Sequence, residues 1–482
     1  MSIQQKLNYP LWKVPGFIIK CFILLIKLGR SGAFSLIMNN GSFNKKTIFL
    51  LKLINFVLYR KKNKKIGSML LKSLVSLGPG FIKIGQALST RPDLIGVETC
   101  EYLKKLQDDI EPFPGSVAKE IIETETKDII DNIFASFEEK PVASASVAQV
   151  HKGILKNGET VAVKILRPNI EKLLFNDFHF FYWGAKCIEF FVPNTKRFKF
   201  SKNVEVLSEV SLNELDLTME AAAAAELYEN FKDNTNYRVP RINWEITSRK
   251  ILIMEYIYGI RIDDLVSLQK NNHDIKKITE IGTEVFFLQV FRDGFFHGDM
   301  HPGNILIDKK GTLVPIDFGI MGRLSNKDRQ FLALLLIHLL NKNYKKVVEI
   351  HFQANMLNEN ISHNHLAQAI RAISTPILNK PIGEVSLAKL LDQILSLSKN
   401  FDIEVQPQFT LLQKTMLMAE GTTRQINPNI NMWELSRPLI DKWITDTHDP
   451  FKVLEEWFHK NKIALLKIPE IINRIDEILS KK

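Results

Sequence analysis

The residues best suited to chemistry lie in one short stretch, His297-Gly298-Asp299-Met300-His301-Pro302-Gly303-Asn304, with Asp317-Phe318-Gly319 just beyond it. Phosphoryl transfer needs hard cations that bridge and neutralise phosphate oxygens, and Mg²⁺ prefers oxygen ligands. Asp317 and Asn304 supply such oxygens and are the candidate metal ligands. Asp299, a carboxylate on the same loop as Asn304, is the candidate catalytic group. Two short apolar runs between Asn304 and Asp317 predict a hairpin that returns Asp317 to this loop. A lone Asp-Phe-Gly occurs by chance, whereas H-x-D-x-x-x-x-N followed by D-F-G after a helical segment is a specific signal. His297 and His301 do not read as a zinc pair, because their loop is rich in Gly and Pro and is not helical.

A second set lies upstream. Val161-Ala162-Val163-Lys164 ends the second strand of a predicted hairpin, where a kinase-like small lobe places the lysine that grips the α and β phosphates. Such a lysine needs a carboxylate to hold it. Glu214, Asp216 and Glu220 follow. Asp216 and Glu220 share a helix face at i, i+4 and Glu214 does not; Glu214 and Glu220 both stay open as the partner. Met254-Glu255-Tyr256 ends the next strand, where Glu255 would offer its backbone to the adenine of ATP or ADP. Two features depart from an ordinary protein kinase. Ala143-Ser144-Ala145-Ser146 stands where a glycine-rich loop is expected, and its Cβ atoms keep the backbone from approaching phosphates as glycine does. No A-P-E follows Asp317-Phe318-Gly319, and a helix is predicted within about ten residues, leaving little room for a peptide substrate.

The elements that carry these residues follow from periodicity and turn chemistry. Runs at 147–155 and 160–166 are joined by Lys156-Asn157-Gly158-Glu159, a strong hairpin signal. One helix is predicted over 204–231, through the alanine run 221–225, and a strand over 251–257. Helical spacing dominates from Asp274 onward, with short strands at 305–307 and 313–316. Ser325-Asn326-Lys327-Asp328 resembles a capping box that opens a helix running to Leu340. The reading is α+β with two lobes, a small β-rich one at 127–260 and a larger helical one at 261–448. A helical stretch at 66–126 precedes them and an amphipathic tail at 449–482 follows.

The chain has 482 residues, 45% hydrophobic and 24% charged, with a net charge of +11. That balance suits an anionic partner. The basic apolar leader, 1–65, holds an apolar run at 18–28 broken by Lys20 and Lys27, and a second at 48–59 followed by Arg60-Lys61-Lys62-Asn63-Lys64-Lys65. Neither run has the roughly 20 uncharged apolar residues of a spanning helix. Both suit a membrane interface, or packing on the body of the protein. No signal-peptide cleavage site follows the first run. The three cysteines stand apart without a CxxC pair, which argues against a disulfide framework and for a reducing compartment.

Several of these segments together resemble the UbiB family of atypical kinases. Phe81-Ile82-Lys83-Ile84-Gly85-Gln86 resembles its K-x-G-Q signature, the 143–146 loop its alanine-rich loop, and Glu214-Leu215-Asp216 its E-x-D motif. Glu420-Gly421-Thr422-Thr423-Arg424-Gln425 resembles its C-terminal end. The likeness runs from about Gly67 to about Trp443. It implies a protein-kinase-like fold with a helical N-terminal extension that binds ATP or ADP with Mg²⁺. It also implies an ATP-dependent phosphotransferase or ATPase supporting prenyl-quinone biosynthesis, chiefly of ubiquinone in bacteria. The implied partners are an anionic membrane surface and quinone precursors or quinone-biosynthesis proteins, with no nucleic acid. The implied location is peripheral, on the cytoplasmic side of the bacterial inner membrane. Lys83 is placed by the resemblance over the site of peptide entry, as a catalytic-site residue paired with Glu214 or Asp216. A conventional protein kinase and a non-catalytic scaffold or lipid-binding module are the competing readings.

Overall fold

The computed structural model describes residues 14–33, 66–89, 95–106, 110–191, 199–354, 356–357, 361–378, 386–398, 401, 403, 405–428, 430 and 432–447. The chain forms two compact units, Met1–Ala225 with Pro240–Tyr256, and Glu226–Val239 with Ile257–Lys482. The polybasic run at 60–65 and the tail from 448 onward fall outside the described residues.

The first unit is built on a five-stranded sheet. Strands β1 (Phe134–Phe137), β3 (Ala148–Leu155), β4 (Thr160–Leu166) and β5 (Ile251–Glu255) lie in that spatial order, and β2 (Ala143–Ser144) pairs with β3. The β3–β4 turn is the predicted one, with Gly158 at φ +85° and its N–H donating to Leu155 O at 2.9 Å. One face of the sheet buries Val161, Val163, Ile165, Ile251 and Ile253 against Ala118 and Ile122.

Among the described residues, the leader and the extension include the helices α1 (Val14–Ser31), α2 (Ile66–Leu77), α3 (Pro79–Ser89), α4 (Val97–Leu103) and α5 (Gly115–Thr126). They are followed, after the sheet's first four strands, by α6 (Ile170–Phe191), α7 (Phe200–Asn213) and α8 (Leu217–Phe231). A cluster of Leu70, Leu74, Phe81, Ile82, Leu103, Leu106 and Phe180 holds the extension together, and Phe17, Cys21, Leu24 and Leu28 of α1 pack onto it. The lysines of α1 bind protein: Lys20 Nζ reaches Asp177 Oδ1 at 2.6 Å, and Lys27 Nζ donates to Ser76 O at 3.0 Å. Asp177 also accepts from Gly80 N at 2.9 Å, capping α3. The opposite face of α1 exposes Ile18, Ile19, Phe22, Ile23 and Leu25.

The single helix predicted over 204–231 is two. The first ends at Asn213 and the second starts at Leu217. Asp216 causes the break: its Oδ1 accepts from Thr218 N at 3.1 Å and Thr218 Oγ1 at 2.5 Å. That side chain competes with the helical ladder and caps the second helix. Leu217 N is then drawn to Arg249 O at 3.0 Å.

The second unit carries β6 (Gly259–Arg261), β8 (Ile305–Asp308) and β9 (Leu313–Pro315) in one sheet, and β7 (Phe295–His297) with β10 (Met321–Arg323) in another. Its described helices are α9 (Leu265–Lys270), α10 (Ile275–Phe287), α11 (Asn326–Leu340), α12 (Tyr344–Gln353), α13 (His363–Leu378), α14 (Leu387–Ser398), α15 (Pro407–Ile426) and α16 (Met432–Thr447). The capping box at Ser325 and Asp328 forms as expected, with Ser325 N donating to Asp328 Oδ2 at 2.9 Å and Asp328 N to Ser325 Oγ at 3.2 Å. The core of this unit includes Leu335, Leu339, Val347, Leu366, Ile370 and Ile394. Among the described residues, no helix is long and apolar enough to cross a membrane.

Candidate functional site

In the second unit the β8–β9 hairpin brings Asp317 back to the 297–304 loop. Ile316 N donates to Asn304 O at 2.9 Å, and Gly298 N to Ile320 O at 2.8 Å. His297, 3% exposed, ties the strands together. Its Nδ1 accepts from Asp299 N at 3.1 Å, so Nε2 carries the proton and donates to Asp317 O at 2.6 Å. Burial holds this imidazole below its ordinary pKa, in keeping with the neutral tautomer. Burial pushes the Asp299 carboxyl up, against the pull of Lys414. Asn304 Nδ2 donates to Asp299 O at 3.1 Å, which orients the amide and leaves its oxygen as the ligating atom. Gly319 N donates to Asp317 Oδ1 at 3.0 Å and fixes that carboxylate. An oriented carboxylate and an amide oxygen on adjoining turns fit a hard cation such as Mg²⁺.

Two parts of this site had no sequence signal. Thr415 Oγ1 donates to Gly298 O at 3.0 Å, and Lys414 bears on Asp299. Both come from α15, more than a hundred residues downstream. Gln289 Oε1 likewise accepts from His297 N at 2.9 Å.

The first unit holds the lysine set. Lys164, between the buried Val163 and Ile165 on β4, donates to Glu220 Oε1 at 2.6 Å, with both side chains largely buried. Lys83 of α3 instead makes an ion pair with Glu214, and Asp216 is occupied with capping. The break at 214–216 makes this division possible: Glu214 ends one helix and Glu220 sits in the first turn of the next. The remaining K-x-G-Q residues have local tasks. A Cβ on Gly85 would lie 2.4 Å from Leu106 Cδ1 and 2.8 Å from Leu74 Cδ1, so the helix approaches its neighbours to a distance that side chains forbid. Gln86 Nε2 donates to Leu106 O at 2.9 Å and Ser146 Oγ at 3.4 Å.

The alanine loop is pinned to the sheet, with Ala143 opposite Val150, Ser144 opposite Gln149, and Ala145 N donating to Ala148 O at 2.8 Å. At the end of β5, Glu255 N donates to Arg241 O at 2.9 Å and Tyr256 N to Thr160 O at 3.1 Å. Those two N–H groups are thus used within the protein.

A first unit whose sheet carries a lysine paired to a helix glutamate, and a second unit carrying the acidic loop, define an atypical kinase-like protein. Residues 105–351 match the ABC1 atypical kinase-like domain and residues 370–431 the UbiB helical domain. The chain is 37% identical over 416 residues to the probable protein kinase UbiB of Shewanella baltica (strain OS185), covering 85% of this chain and 76% of that one. It is 38% identical over 402 residues to the protein of the same name from Pseudomonas aeruginosa (strain LESB58), covering 83% and 75%. The chain belongs to the UbiB family.

Proposed function

We propose that this protein binds ATP or ADP with Mg²⁺ and acts as an atypical kinase or ATPase that supports prenyl-quinone, chiefly ubiquinone, biosynthesis at a membrane. The observation that carries the chemistry is the 297–317 loop, where Asp299, Asn304 and Asp317 are held on one hydrogen-bonded framework. Asp317 and Asn304 would hold the cation, which neutralises phosphate charge. Asp299, raised by burial, is suited to take a proton from an attacking hydroxyl or water. Lys164, held by Glu220, is suited to the α and β phosphates. Helix α11 begins nine residues after Asp317, which favours water or a small acceptor over a peptide.

The quinone assignment is supported by the names of the relatives, each a probable protein kinase UbiB. Peripheral attachment to an anionic leaflet is supported by the apolar face of α1, with Phe22 64% exposed. In a bacterium this would be the cytoplasmic side of the inner membrane. The test is ATP hydrolysis by the purified chain with and without anionic liposomes, together with the quinone profile of a deletion strain. Mg²⁺-dependent hydrolysis that is lost in Asp317→Asn, and depleted quinone in the strain, are expected. Nucleotide binding without turnover under both conditions would favour a scaffold over an enzyme.

A further inference from the structure

Helix α10 runs at Phe287 into a π-helical turn, Leu288–Asp293, which closes with Gly294 N donating to Gln289 O. An α-helical bond would tie Gly294 N to Val290 O instead. The wider turn rotates Gln289 relative to the strand that follows, and such turns gather at functional sites. Gly294 makes the exit possible, at φ +62° and with a Cβ position only 2.5 Å from Leu324 O.

Gln289 is fully buried, and both ends of its amide are used. Its Oε1 accepts from His297 N at 2.9 Å, and its Nε2 donates to Tyr237 Oη at 3.2 Å. Tyr237 is itself buried, edge-on to Phe231 at 4.7 Å. Its segment is stitched to β9, with Arg238 N donating to Leu313 O and Leu313 N to Asn236 O, each at 3.0 Å. Strand β9 leads to Asp317, and His297 leads to Asp299. The His297 ring in turn bonds Asp317 O and Asp299 N. The Gln289 amide thus closes a frame within the second unit, and each arm of it ends on an acid of the site.

A buried N–H that loses its acceptor cannot recover the bond from water, so the backbone carrying it must move. Here that backbone is His297, and its ring passes the movement to both acids. A misplacement of about 1 Å is enough to lower turnover about a hundredfold.

We propose that Gln289 is a positioning residue, held by Tyr237, that sets the placement of Asp299 against Asp317 through His297. Its effect on turnover rests on the nucleotide reading given above. The test uses the full chain as wild type, Gln289→Met, Gln289→Glu and Tyr237→Phe. ATP hydrolysis is followed over a range of Mg²⁺ concentrations. The ring N–H signals of histidine-labelled protein are recorded alongside, with His297→Asn identifying the His297 signal. Methionine fills the space of Gln289 without an amide. A buried glutamic acid stays protonated and keeps a carbonyl for His297 N and a hydroxyl for Tyr237. Gln289→Met is expected to lower kcat at least about tenfold, raise half-saturating Mg²⁺ at least about threefold, and move the His297 signal. Gln289→Glu is expected to recover most of the turnover, and Tyr237→Phe to lower it about threefold. A purely structural role would lower the melting temperature and leave all three readouts of the folded protein alone. Values for Gln289→Met within about twofold of wild type, or equal losses in Gln289→Met and Gln289→Glu, overturn the proposal. Should Gln289→Met not fold, a Tyr237→Phe protein indistinguishable from wild type overturns it. If the wild type hydrolyses no ATP, the nucleotide reading falls; an unmoved His297 signal in Gln289→Met overturns the positioning role by itself.

Discussion

Glu214 and Glu220 stand six residues apart and serve different lysines, Glu214 binding Lys83 of the extension and Glu220 binding Lys164 of the sheet. The break capped by Asp216 separates them. The consequence is testable by double-mutant cycles in chemical denaturation. Lys83 is 9% exposed, so the loss of Glu214 strands a buried ammonium, and the loss of Lys83 strands the Glu214 carboxylate. Because Glu214 keeps some solvent contact, each single change, Lys83→Ala or Glu214→Gln, should cost about 2 kcal/mol, below the fully buried range. The pair should show a coupling of at least about 1 kcal/mol. The cycle of Lys83→Ala with Asp216→Asn should be additive. Coupling to Asp216 and none to Glu214 would reverse the assignment.

Stability should fall on mild acidification, in part through His151. This ring is buried and stacked on Phe137 at 4.9 Å. Its Nδ1 donates to Glu138 O at 2.8 Å, and its Nε2 lies 2.7 Å from Gln149 Nε2, from which it accepts. A second ring proton would therefore meet a donor. Burial pulls its pKa below the ordinary 6.5, against the bond to Glu138 and the charge of Glu139. A lowered histidine pKa contributes stability above 6.5, where both states are neutral. As the pH falls below that value the unfolded chain takes up a proton that the folded chain refuses, and the contribution is lost. The buried His297 and His351 act in the same direction. Melting temperatures across this range should drop less steeply in His151→Gln than in the wild type. Identical slopes would show that His151 titrates normally.

Much of this was legible from local spacing. The hairpin around Asn157-Gly158, the capping box at Ser325, and the return of Asp317 to the Asp299–Asn304 loop all rest on residues near each other in sequence. The break at Glu214-Leu215-Asp216 was hidden because helix propensity continues through it, and Asp216 decides the matter with a side-chain bond. Helix α6 gave no clean stripe, since Phe175, Phe178, Phe180, Phe181 and Trp183 surround it. Its Asp177 became visible as the partner of Lys20 and the cap of α3 through tertiary packing, which no periodicity reports. The same holds for Lys414 and Thr415 behind Asp299. Lysines in an apolar run suggested an interface, and in α1 they turned inward while the apolar residues of the other face stayed exposed.

That exposed face makes a separate prediction. Ile19 and Phe22 are 61% and 64% exposed, so replacing both by Ser leaves the packed face of Phe17, Cys21, Leu24 and Leu28 untouched. Full burial of two such side chains in a bilayer interface is worth about 3–6 kcal/mol together. Flotation with anionic liposomes should therefore show the double variant largely unbound, at an unchanged melting temperature. Equal flotation of both proteins would assign membrane binding elsewhere.

The last prediction concerns Gly85. Its helix, α3, is held at both ends, by Asp177 at Gly80 and by Gln86 at Leu106 O. Between them Gly85 faces Leu106 and Leu74, which are 0% and 4% exposed and have nowhere to retreat. Ala at this position intrinsically favours a helix over Gly by about 1 kcal/mol. The clash at 2.4 Å from Leu106 Cδ1 opposes this gain, and overpacking of a closed core costs about 1–3 kcal/mol. The net change should thus be destabilising. The added methyl should also push α3 outward, carrying Lys83 away from Glu214 and Gln86 from Ser146. Leu106→Val removes a methylene on the opposing side and should restore part of the loss in the double variant. If Gly85→Ala alone is more stable than wild type, α3 can shift freely in the core, and the close approach that positions Lys83 is not a constraint of this fold.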